Sequence, residues 1–339
     1  MSAAEEVVAE GHQAVEAVPK RAMTLAARTS FVVLLILLIV PLFAKNFIIF
    51  QMTMLLIYGL AVLALNILTG GSGQFSLGQS AFYAVGAYTT AVLMEHFNVN
   101  YALTLPIAGV VCFAFGFLFG HPALRLSGVY LALATFALAT ATPQILKLNL
   151  LEHWTGGVQG LVVTKPDAPL GLPMSQDMWL YYFTLLVAMI VYIFSVNLLR
   201  SRSGRAFMAI RDNEIAASAM GVDVALYKTL AFGVSAGITG VAGGLSAITV
   251  QFVAPDSFTI TLAISLFLGM VVGGVGWLPG SFVGAAFIIF VPNMAESISK
   301  GLSGAVFGVL LFLVIYLVPH GARQVAFLAH NLLPKRTKN

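Results

Sequence analysis

Charge is what this chain has least of. Asp, Glu, Lys and Arg make up 9% of its 339 residues while 59% are hydrophobic, against roughly 25% charged in a soluble domain. With a mean hydropathy of +0.95, that scarcity excludes water as the solvent for most of the chain. Cysteine occurs once, as Cys112 inside an apolar run, so no intramolecular disulfide can form and the thiol is expected to pack as a small apolar group. A secretory leader is not expected: Glu5, Glu6, Glu10 and Glu16 give an acidic start, and no apolar stretch precedes Phe31. Residues 1–20 read as a short tail. The net charge of +4 is too small and too dispersed to point to nucleic acid.

What is present is a series of long apolar runs. In hydrocarbon every backbone N–H and C=O needs an internal partner, which leaves helices or closed barrels. Barrel strands would alternate over about ten residues; these runs are continuous over about twenty, the length of a spanning helix. They fall near 28–46, 48–69, 78–96, 101–120, 128–148, 178–199, 229–252, 258–275, 280–298 and 302–320. The expected fold is therefore an all-α integral membrane protein, a polytopic bundle of about 10 transmembrane helices. The least defined cut lies around Lys45, where the first run is short and contains Pro41.

The positions of Lys and Arg orient the bundle. With ten alternating spans and both termini cytoplasmic, one side carries Lys20, Arg21, Arg28, Arg125, Arg200, Arg202, Arg205, Arg211, Lys228, Arg323, Lys335, Arg336 and Lys338. The far side carries only Lys45, Lys147, Lys165 and Lys300. Losing one span would put the charges of the C-terminal half on the wrong side.

Signals of catalysis are missing. There is no H-E-x-x-H, no Walker A sequence, and all six histidines fall outside the spans or at their ends. A buried serine nucleophile would want a histidine at its own depth. The expectation is a chain that is not an enzyme, with no catalytic residues, no metal and no cofactor of its own.

Two connections exceed a turn: an extracytoplasmic loop at 149–177, rich in Gly and Pro, and a cytoplasmic loop at 200–227. The second reads as two short helices. Arg205 to Arg211 forms one; Asp212 or Asn213 caps the next, Glu214 suits its positive end, and Gly221 supplies a left-handed stop. Ala216, Ala217 and Ala219 keep that helix thin, and Ile215 and Met220 give it an apolar surface able to seat in another protein's groove. Composition alone leaves open a solvated amphipathic loop.

The run Gly204-Arg205, Ala209-Ile210-Arg211-Asp212-Asn213-Glu214-Ile215-Ala216-Ala217 and Gly221-Val222, with Tyr227 to Phe232 after it, resembles the cytoplasmic coupling loop of branched-chain amino acid ABC transporter permeases of the LivM-like branch. Residues 65–88, 126–135 and 270–280 are similar to further segments of that family, in the same order, and the resemblance covers roughly 30–322. The apolar runs and their orientation divide the chain into a cytoplasmic N-terminal tail at 1–27, a transmembrane permease domain at 28–322 and a cytoplasmic C-terminal tail at 323–339. The resemblance implies that the loop docks on ATP-binding cassette subunits that use the ATP, that a second related permease (LivH-like) completes the pathway, and that an extracytoplasmic solute-binding protein delivers the solute. Two departures bear on the substrate: Gln79 stands where many relatives carry His, and 139–142 is rich in hydroxyls.

Gly70-Gly71-Ser72-Gly73 breaks the chain between two spans and leads to Gln74, Ser76, Gln79 and Ser80. A phosphate cradle is not expected, because the glycines follow a helix and no Lys or Arg lies nearby in the sequence. Tight packing and a polar, unwound pathway lining both remain open, with Gln74, Ser76, Gln79 and Thr135 as candidate pathway residues. Gly273-Gly274-Val275-Gly276 repeats the pattern late in the chain. Gly233, Gly237, Gly240, Gly243 and Gly244 put small residues on one face of a span, which favours close helix packing.

An ion-coupled carrier would usually place an ionisable group in its bundle, and a channel gives no reason for the Arg-Asp-Asn-Glu loop. An ABC importer subunit accounts for both the charge-free spans and the charged loop. The expected function is a permease for branched-chain or related amino acids in the bacterial inner membrane, working by alternating access. Urea or short-amide permeases, an ATP-independent channel and a Na⁺-coupled carrier are the alternatives.

Overall fold

The computed structural model describes residues 37–123, 128–168 and 174–298, with Gly308, Tyr316 and Gly321 beyond them. The tails at 1–27 and 323–339, the start of the first predicted span and nearly all of the tenth at 302–320 lie outside the described residues. Residues 1–49 form one contact unit and 50–339 another. Within the first, the backbone is helical at 37–43, bends at 44–45 and becomes helical again at Asn46, so the doubtful cut at Lys45 separates two helical runs.

Helix α1 (Asn46–Asn66) widens into a π turn (Ile67–Gly71). There follow α2 (Gln79–Phe97), α3 (Tyr101–Ala123), α4 (Val129–Leu146), the single turn α5 (Glu152–Thr155) and β1 (Leu161–Val162). Next come α6 (Gln176–Arg200), α7 (Arg202–Asp212), α8 (Glu214–Ala219) and α9 (Val224–Val250). Then β2 (Phe252–Val253) and a 3₁₀ turn (Pro255–Phe258) precede α10 (Ile260–Gly273) and α11 (Gly280–Ile298). Among the described residues six helical stretches are long and apolar enough to cross a membrane, the first being Asn46–Gly71 and the last Pro255–Gly273. Helix α2, 19 residues long, is not among these six.

Helix α9 is the axis of the larger unit. It is almost wholly buried, whereas less than a third of α3, α4 and α6 is buried. The reason is local to its sequence: small residues recur along it, and α2 and α3 lie against its backbone. A Cβ placed on Gly240 would collide with Cys112 of α3, and one on Gly86 of α2 would strike the backbone of Gly240. Cys112 is buried here, as its apolar run implied.

The connections sort into two sides. On one, Lys147 pairs with Asp256 at 2.5 Å. On the same side β1 runs antiparallel to β2, with Leu161 opposite Val253, and Trp154 stacks on Phe97. These contacts fasten α5 to the end of α2, and β1 and the end of α4 to the segment that follows α9. On the other side lie the π turn, α7, α8 and the 274–279 connection.

Candidate functional site

The Arg-rich loop is built by three caps. Ser201 ends α6 and starts α7, its Oγ accepting from Gly204 N–H at 3.4 Å. A side chain at Gly204 would run into the carbonyls of Leu198 and Leu199, so this corner requires glycine. Asn213, not Asp212, caps α8: its Oδ1 accepts from the N–H groups of Ile215 and Ala216, both at 3.0 Å. Asp223 caps α9 by accepting from Leu226 N–H. Between them Gly221 closes α8 with a φ of +84°, a conformation that favours glycine.

Helix α7 has two faces. Ala206, Phe207 and Ile210 are buried, with Phe207 edge-on to Tyr227 and packed among Leu68, Phe82 and Phe232. Arg205 and Ala209 face outward. Together with Arg202, Gly221, Val222 and Tyr227 they line an open cleft of about 330 Å³. On α8 only Ala217 is buried, while Ile215 and Met220 are 83% and 85% exposed. Glu214 pairs with Lys228 of α9. The loop is thus anchored by α7 and presents α8.

Arg211 joins this loop to the first glycine break. Its Nη1 donates to the Gly70 carbonyl at 2.8 Å, and its Nε and Nη2 donate to Asp212 Oδ1 at 3.0 and 2.9 Å. A π turn displaces carbonyls from their helical partners, and the guanidinium satisfies the one that faces the loop.

Beyond the π turn the four candidate pathway residues are all buried. Gln74 Nε2 donates to Ser72 Oγ and to the Lys228 carbonyl at 2.9 and 3.1 Å. Ser76 Oγ accepts from Gly78 N–H, and Thr135 Oγ1 accepts from Leu77 N–H. Gln79 donates to Ser235 and accepts from Thr239, tying α2 to the middle of α9. All four side chains are directed to protein partners.

The second break lies against the first. Asn66 Oδ1 accepts from Gly276 N–H at 2.6 Å, and its Nδ2 donates to the carbonyls of Gly274 and Trp277 and to Ser281 Oγ at 3.1–3.3 Å. Gly70 touches Gly276 so closely that a Cβ on Gly70 would sit 2.5 Å from the Gly276 nitrogen. Asn66 was not among the predicted site residues. Its one signal is a carboxamide in the apolar run Leu-Ala-Leu-Asn-Ile-Leu. Among the described residues no three His, Cys, Asp or Glu side chains converge on a metal position.

The charged, capped loop is thus bonded to a buried glycine-rich turn of the bundle. The model of the family described as branched-chain amino acid transport system / permease component matches residues 47–318. The chain belongs to that family. The permease protein LivM of the high-affinity branched-chain amino acid transport system of Salmonella typhimurium is 33% identical over 292 residues, covering 79% of this chain and 68% of that one. LivM of Escherichia coli is 36% identical over 247 residues, covering 66% and 58%. The autoinducer 2 import system permease protein LsrC of Escherichia coli is 28% identical over 261 residues, covering 75% and 72%. The matched region thus spans about three fifths to two thirds of the two LivM relatives. No solved structure gives a significant match.

Proposed function

We propose that this chain is the transmembrane permease subunit of an ABC importer for branched-chain or related amino acids in the bacterial inner membrane. In this reading it crosses the membrane about ten times, with both termini and the 200–227 loop in the cytoplasm. ATP-binding subunits dock on residues 204–221, a second related permease completes the pathway, and a solute-binding protein seats on the 149–177 side. ATP is bound and hydrolysed by the partners.

The observation that carries the reading is the Arg211 bond to the Gly70 carbonyl. It joins α7, the helix that anchors the loop, to the π turn at the end of α1 inside the bundle, which is where a mechanical input has to act. Alternating access needs irregular backbone lining a cavity, and such backbone is tolerated at membrane depth only there or inside protein. The apolar groups exposed on α8 suit a protein groove better than water. Relatives named for branched-chain amino acids favour a zwitterionic solute, whose charges cancel in a pathway poor in ionisable groups. The short-amide alternative draws on Gln79, and that carboxamide already bonds Ser235 and Thr239.

Purification in mild detergent from cells expressing the whole transport operon tests the assembly. An ATP-binding subunit and a second permease are expected to co-elute and, with the solute-binding protein, to drive ATP-dependent leucine uptake in proteoliposomes. A lone homo-oligomer conducting solute without ATP would contradict the proposal.

A further inference from the structure

We propose that Asn66 is a positioning residue that makes the two glycine breaks move as one body, so that a push on α7 reaches α11. The inference rests on the importer reading above.

The geometry is a chain of contacts running from the loop to the last described helices. Arg211 of α7 holds the carbonyl of Gly70. Gly70 stands one turn after Asn66 and lies in backbone contact with Gly276. Asn66 is 1% exposed, and its carboxamide reaches three groups of the connection between α10 and α11 and the Ser281 hydroxyl in the first turn of α11. That connection leaves the helical conformation at Gly274 and Gly276, whose φ values are +99° and +79°. Backbone groups freed by such a break need partners inside an apolar bundle, and one side chain from α1 supplies several. The backbone contact at Gly70 brings the breaks together, and the amide fixes their register.

A role in folding alone would also place hydrogen bonds here, but it would not make α11 respond to the loop. The two roles separate in a labelling experiment on the full complex. Cysteines introduced at exposed positions, Ser218→Cys on α8 and Val283→Cys on α11, carry spin labels, and buried Cys112 stays unlabelled. Distances from each label to a fixed label on the ATP-binding subunit are then read with and without ATP.

In the parent complex both labels should shift on ATP binding. With Asn66→Ala the α8 label should shift as before while the α11 shift is lost, and solute moved per ATP hydrolysed should fall about fivefold or more. Asn66→Asp, close in shape but lacking the amide donors, gives the same test if the alanine variant does not assemble. Ser195→Ala, which removes a buried hydroxyl bonded only within α6, should leave both shifts intact. If α11 still shifts with α8 in the assembled Asn66 variants, Asn66 does not link the breaks. If the α8 label itself fails to respond in the parent complex, the docking reading fails, and this inference falls with it.

Discussion

Along α9 the glycines remove side chains so that α2 and α3 can lie against its backbone. At the two breaks they let the backbone itself turn, approach a second backbone and offer carbonyls to side chains. The first region is a seam of close contact, with Gly240 pressed on Cys112. The second is a joint held by hydrogen bonds from Arg211 and Asn66. Close packing resists being rearranged, because interiors at crystal-like density respond to even one added methylene. A hydrogen-bonded joint can move as a unit, or by exchanging partners, provided that no buried donor or acceptor is left unpaired. The difference teaches where this permease can be rigid and where it can move.

The largest effect is expected where α9 packs on α3. Gly240→Leu should prevent stable folding, since overpacking costs about 1–3 kcal/mol even where neighbours can shift and here the neighbour is a helix in contact. Folded yield and thermal unfolding in detergent should show loss of the native protein. At the loop, Ile215→Asp with Met220→Asp should leave the permease's unfolding temperature unchanged and abolish recovery of the ATP-binding subunit. Co-purification checks this, and undiminished recovery would place docking elsewhere. The smallest effect is expected at Glu214 and Lys228, whose carboxylate is 53% exposed. A double-mutant cycle on unfolding should return less than about 1 kcal/mol and shrink with salt.

The helices were legible because an apolar run of spanning length admits one backbone solution, and the packing face of α9 because its glycine spacing is local. The capped helices of the loop were legible for the same reason, whereas the break expected from Gly70 begins only at Gly73, because a π turn carries the helix through the first two glycines. The choice between Asp212 and Asn213 as cap was not, since it turns on Arg211 engaging Asp212. The 149–177 connection read as loop from its Gly and Pro. The strand within it exists through pairing with Phe252 and Val253, some ninety residues on. Asn66 escaped for a like reason: its partners lie more than 200 residues away. No local pattern records them. The likeness of the two Gly-rich segments was visible in the sequence, but their contact was not.

The central claim is that the loop drives the bundle through Arg211, and solute uptake per ATP hydrolysed by the reconstituted complex tests it most directly. Arg211→Ala should leave assembly and ATP hydrolysis in place and lower that ratio about tenfold or more, with Arg211→Lys restoring part of it through a single donor. An unchanged ratio in the assembled Arg211→Ala complex would contradict the account.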